Sequence, residues 1–152
     1  NPIHIDMKRV LFILMTITLL CSCEKASYVS EKFVGDWEGL LYAISENGDD
    51  KILIAQKIIE LTIEKTSSYT CIIYAFQSPT GIPFKVGEGS TYKGKVIEEG
   101  EYITLSKPFP DNRFKSLKTS DGLRLQSSEF LIDLKNSHIP HADELRKNRQ
   151  EH

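Results

Sequence analysis

The chain has 152 residues but only three cysteines and a single tryptophan, and its scarcities set the first limits. Cys21 and Cys23 sit close together near the start and Cys71 lies far from both, so the disulfide framework that staples many small secreted domains cannot be drawn. No apolar run is long enough to span a membrane: Val10 to Leu20 would form a helix of roughly 16 Å, against about 30 Å for a bilayer core. Neither sign of charge dominates, with 19 Lys and Arg against 21 Asp and Glu. There is no basic stripe either, which points away from nucleic acid as a partner. A Gly-x-Ser-x-Gly elbow and a glycine-rich phosphate loop are both missing. Apart from His4 in the N-terminal segment, the histidines are His138, His141 and His152, so a serine or cysteine nucleophile of the remaining chain would have to recruit its base from the C-terminal tail. These absences lead away from an enzyme, and no cofactor is expected.

What is present begins with Lys8-Arg9, the apolar Val10 to Leu20 and then Cys21-Ser22-Cys23. A basic pair, a short greasy run and small residues before a cysteine form an export signal. Leu20 to Cys23 resembles the lipobox of bacterial lipoproteins. The resemblance implies cleavage after Ser22 and acylation of Cys23, which has the small Ser22 before it where Cys21 has Leu20. Multiple acyl chains would hold the protein stably on a membrane. In that family Asp after the cysteine retains the protein at the inner membrane; Glu24 stands here, so the outer membrane is the default expectation. The resulting layout is an upstream extension over 1–6, a signal over 7–22, an acylated tether over 23–32, a β domain over 33–135, and a charged tail or short helix over 136–152. Losing Asp6, Lys8 and Arg9 moves the formal charge from −2 to −3.

From Phe33 onward strand signals dominate. Phe33 to Ile44 is aromatic and β-branched, and Glu46 to Asp50 is a turn rich in Asn, Gly and Asp. Ile59, Leu61 and Ile63 alternate with Glu60, Thr62 and Glu64, the pattern of a half-buried strand in an antiparallel sheet. Tyr69 to Gln77 is apolar on both faces and reads as a central strand, with Cys71 as a small buried hydrophobe. Ser78 to Pro83 and Lys107 to Asn112 are loops. Tyr92–Glu98 and Tyr102–Ser106 form a hairpin through Glu99-Gly100, and Phe114–Leu117, Leu123–Gln126 and Phe130–Leu134 complete the set. About seven to nine short strands indicate an all-β sandwich or barrel. The tail has few apolar residues, and a frayed helix or solvated segment is expected there.

Gly35-Asp36-Trp37 resembles the Gly-x-Trp opening of lipocalins and of short lipocalin-like bacterial lipoproteins. The resemblance implies a small antiparallel up-and-down barrel closed at one end by Gly35 and Trp37 beneath a late-strand arginine, Arg124 first and Arg113 second. It also implies a non-catalytic role, binding a small apolar or amphipathic ligand inside the barrel. Tyr69, Tyr74, Phe76, Tyr92 and Tyr102 are the candidate lining residues. The chain is similar as well to NlpE-type lipoproteins, although Leu40 to Ala43 occupies the place of their Cys-x-x-Cys. Gly35 to Gly39, Gln77 to Pro83 and Tyr92 to Gly94 resemble a β accessory domain of bacterial α/β-hydrolases, whose catalytic domain is missing here. The alternative reading is an envelope interaction or stress-sensing module that binds a protein through its surface, with Ile82 to Phe84 as one possible patch.

Other constellations have simpler explanations. Ser90-Thr91-Tyr92-Lys93 matches Ser-x-x-Lys, but in a strand positions three apart face opposite sides. His138, His141, Asp143 and Glu144 offer metal-ligand types, yet Pro140 breaks their spacing, so no metal site is expected. Glu98, Glu99 and Glu101, like Asp49-Asp50, read as solvated turn residues.

Overall fold

A computed structural model describes residues 8, 28–47 and 49–150; Cys23 and all of the signal except Lys8 lie outside the described residues. No helix among the described residues is long and apolar enough to cross a membrane. The strands are β1 (Gly35–Asn47), β2 (Asp50–Ile63), β3 (Ser68–Gln77), β4 (Phe84–Glu99), β5 (Tyr102–Leu105), β6 (Arg113–Lys118), β7 (Gly122–Gln126) and β8 (Phe130–Lys135). Each pairs antiparallel with its neighbour in sequence, and β8 pairs back onto β1, closing an eight-stranded up-and-down barrel. A short helix, α1 (Ala142–Gln150), follows. Closure removes the exposed edges that an open sheet of this size would carry.

Period-two patterning decides which side chains face inward. Ile59, Leu61 and Ile63 of β2 meet Cys71 and Tyr69 of β3 and, across the barrel, Ile103, Phe114, Leu125, Ile132 and Leu134 in one continuous buried cluster. Burying each such aliphatic or aromatic side chain contributes about 1.5–3 kcal/mol, and every strand supplies at least one member, Leu41 coming from β1 and Val96 from β4, with the half-buried Trp37 packed against them.

Both ends of this interior are plugged. At the N-terminal end a single 3-10 turn, Glu31–Phe33, places Phe33 at 0% exposure. Its carbonyl accepts the Trp37 indole N–H at 3.0 Å. At the loop end the 106–112 loop folds Phe109 inward, edge-on to Phe114 (5.4 Å) and Phe130 (5.1 Å). The Tyr69 hydroxyl fixes that loop, donating to the Lys107 carbonyl at 2.8 Å and accepting its N–H at 2.9 Å. Asn112 and Ser127 tie it to the 127–129 turn, the Ser127 hydroxyl lying 2.6 Å from Asn112 Oδ1.

Three features differ from the sequence reading. β4 begins at Phe84 rather than Tyr92, because Gly87, Glu88 and Gly89 hide a strand that bulges opposite Tyr74. β3 is apolar on both faces although a barrel has no central strand: Tyr69 and Cys71 face the core, while Tyr74 lies outside beneath the tail, 6.3 Å from the His141 ring. The tail itself runs along the outer face of the sheet rather than into solvent.

Candidate functional site

The outer face of β1 to β4 carries the densest group of ionisable side chains, and the C-terminal tail covers it. Glu38 of β1 stands directly opposite Glu60 of β2, a like-charge pair that is destabilising alone. Lys85 of β4 lies between them. Its Nζ is 3.0 Å from Glu38 and bonded to Glu60, and the residue is only 2% exposed. Tyr74 donates to Glu60 at 3.4 Å, and its ring faces the Lys85 ammonium at 5.4 Å.

The tail completes the cluster. The Ile139 N–H donates to Glu38, the Lys85 N–H donates to the Pro140 carbonyl at 2.9 Å, and His141 pairs with Lys85 as a parallel bridge. His138 sits between two carboxylates, Nδ1 3.0 Å from Glu38 and Nε2 3.0 Å from Glu144. Ile58 belongs to this outer face, because it alternates with the inward Ile59; it is nevertheless 0% exposed and stands apart from the interior cluster. Leu40 and Tyr74 are its register partners, and the tail crosses beside them.

The charges settle one another. Burial pushes the Glu38 carboxyl up, but the Ile139 N–H, His138 and Lys85 together outweigh it and hold it below the usual carboxylate range. Burial likewise pushes the Lys85 ammonium down, and its bonds to Glu60 and Glu38 reverse the sign, so it stays protonated. The Glu144 and Glu38 carboxylates raise the pKa of His138. With these charges paired to one another, the cluster acts as a clasp that ties the tail to the sheet.

The second exterior feature is a projecting ribbon. β1 pairs with β8 only as far as Ala43, and β2 pairs with β3 only from Lys57. Beyond those points, and past one further bond from the Ile44 N–H to the Glu129 carbonyl at 2.8 Å, Ser45 to Asn47 and Asp50 to Ile52 pair only with each other. Ile52, Leu53 and Ile54 are 43%, 48% and 50% exposed on that ribbon. The third feature is a groove of about 530 Å³ between the 77–86 segment and α1.

The residues singled out from sequence are dispersed. Gly35 has φ of 139° and enters β1 beside Trp37, whose indole packs against the core. Arg124 does not cap that indole. It alternates with the buried Leu123 and Leu125 and so faces outward, 3.8 Å from Asp133. Arg113 lies over the Tyr102 ring at 4.0 Å. Of the five candidate lining aromatics, Tyr69 and Tyr92 pack inward. Tyr74, Phe76 and Tyr102 alternate with inward residues and face outside, so the five line no common cavity. Ser90 and Lys93 pair with Ile73 and Thr70, which face opposite sides of the sheet, Ile73 inward and Thr70 outward. Glu98 accepts from the Ser30 N–H at 2.7 Å and Glu99 pairs with Arg113 at 3.4 Å. No group of His, Cys, Asp and Glu among the described residues is arranged to hold a metal ion.

Sequence reasoning passed over Lys85, Glu38 and Glu60, which look like ordinary exposed strand charges. The one available signal was Lys85 beside Phe84 and Val86, a cation inside an apolar triplet. Comparison of the chain with protein-family models, with curated proteins and with solved structures finds no match.

Proposed function

We propose that this chain is a lipid-anchored, non-catalytic binding protein whose barrel is a solid scaffold and whose partner is a protein engaged through the β1–β2 ribbon. The observation that carries the reading is the run Ile52-Leu53-Ile54, exposed on a two-stranded ribbon with unpaired edges. Proteins normally blunt such edges with charge, proline or cover, and exposed apolar ribbons are sites of strand addition. An interior ligand is the weaker reading, because the core side chains and the plugs Phe33 and Phe109 occupy the space it would need.

Orientation supports the same conclusion. An anchor at Cys23 leaves five residues before the described segment at Tyr28, at most about 18 Å of extended chain. Val29 and Ser30 are tied to Lys65 and Glu98 at the N-terminal end of the barrel. The ribbon projects from the opposite end, roughly 30–40 Å away for a tilted strand of this length. It therefore reaches away from the anchoring membrane, toward a partner within the envelope.

A photo-crosslinking residue at position 53 in intact cells should give a discrete adduct that is absent when the same residue replaces Thr91 on β4. Ile52→Lys with Ile54→Lys should abolish it while the Trp37 emission stays native. Equal adducts from both positions, or none at 53, would sink the proposal. Labelling with a palmitate analogue should require Cys23, and equal labelling of Cys23→Ala would remove the anchor.

A further inference from the structure

The groove between the 77–86 segment and α1 is not explained by the ribbon, and it has a definite chemistry. One wall is Phe84, Val86 and Ile82; the other is Leu145 of α1, and Arg146 and Arg149 stand along the helix beside it. Its volume of about 530 Å³ is the size of a small-molecule site, which spans roughly 300–1,000 Å³. The clasp holds the helical wall in place, through Lys85 N–H to the Pro140 carbonyl and His138 to Glu144.

We infer that this groove binds a single-chain anionic amphiphile, a medium-length aliphatic carboxylate, with its chain between Phe84 and Leu145 and its head against Arg146 and Arg149. Three observations select that occupant. The lining includes Pro79, Pro83 and Pro140, which offer no N–H, so an apolar chain loses nothing there. The β4 edge at Lys85 is already taken by the tail, which blocks a peptide from adding as a strand. The charge at the mouth is cationic. Arg146 has only Asp143 as an ion-pair partner at 3.7 Å, and Arg149 forms no ion pair among the described residues. Guanidinium groups recognise carboxylates with two parallel bonds.

The inference does not rest on the ribbon proposal, and calorimetry separates the two. The probes are decanoate, decanol and decyltrimethylammonium, each titrated into the full chain carrying Cys23→Ala. Decanoate should bind saturably at one site, decanol at least tenfold more weakly, and the ammonium not at all. Each methylene removed from the carboxylate should weaken binding about threefold to fourfold, the effect of about 0.8 kcal/mol per buried CH₂. Arg146→Gln with Arg149→Gln should reduce decanoate to the affinity of decanol, and Leu145→Asp should abolish both. All three side chains sit on a surface helix without buried residues, so Trp37 fluorescence should remain native. Absence of saturable binding, equal affinity for the three probes, or indifference to the arginine pair would overturn the inference. Loss of binding through Ile54→Asp instead of Leu145→Asp would place the chain on the ribbon and overturn it equally.

Discussion

At the scale of single residues, Lys85 shows how one buried charge can hold an exterior face together. Removing one partner of a buried ion pair typically costs about 3–5 kcal/mol, because the remaining charge is left uncompensated. Lys85→Met would leave Glu38 and Glu60 facing each other across a strand pair. We expect it to lower stability by about 3 kcal/mol in urea unfolding monitored by Trp37 fluorescence, with much of the loss restored by adding Glu38→Gln and Glu60→Gln. A loss below 0.5 kcal/mol, the noise of an ordinary surface substitution, would contradict this account. Cys71 is the opposite case. Burial pushes its thiol up to about 12, which makes it an inert core group as its apolar neighbours in sequence indicate. That role was legible from Tyr69 to Phe76, whereas the direction of each ring was not. With both faces of β3 apolar, parity alone could not tell Tyr69, which faces the core, from Tyr74, which lies under the tail.

At the scale of elements, the docking of the tail on the sheet was missed because its attachment is polar. α1 buries no side chain, so a hydrophobic pattern contains no trace of its docking. What holds it is Glu38, receiving Ile139 N–H and His138, and Lys85, whose backbone bonds Pro140. The groups facing His138 are the Glu38 and Glu144 carboxylates, with Lys85 behind Glu38. Because Glu144 and Glu38 raise the pKa of His138, its contribution is fully present below the unfolded value of about 6.5 and disappears as pH rises through the higher folded value. Glu38 behaves conversely: its carboxyl is held down, so its contribution persists above the ordinary carboxylate pKa and fades only in acid. Hydrogen exchange of amides 142–150, corrected for intrinsic rate, should therefore quicken from pH 6 to pH 9 while the β-strand amides do not. His138→Ala should exchange fast at both pH values. A pH-independent tail in the unaltered chain would show that His138 is a bystander.

At the scale of the whole molecule, period-two hydrophobicity and turn spacing indicated a sandwich or barrel, and the resemblance at Gly35-Asp36-Trp37 implied the closed up-and-down barrel that the structure has, but neither showed which residues make the seam. Closure is decided by how near β8 can approach β1 and β7, and glycines decide that. A Cβ on Gly39 would lie 1.8 Å from the Asp133 carbonyl oxygen, and one on Gly122 1.8 Å from that of Leu134. The two glycines flank β8 on either side of the seam, letting its backbone come closer than any side chain permits. Gly39 stands two residues after Trp37 in a stretch that also resembles other β domains, yet nothing in the sequence separates it from a glycine chosen for a turn. Gly39→Val should therefore act on the barrel as a whole. It must push β1 off β8, and we expect a loss of about 3 kcal/mol or more, at the upper end for overpacking. Gly100→Ala is the useful contrast: its φ of 64° is strained for alanine, but no atom lies within 4 Å of the new methyl. That strain should cost about 1 kcal/mol and leave the seam intact. Denaturant midpoints read by the single indole, together with exchange of the β8 amides, distinguish the outcomes. If Gly39→Val unfolds no more easily than Gly100→Ala, the seam is not what makes this sheet a barrel.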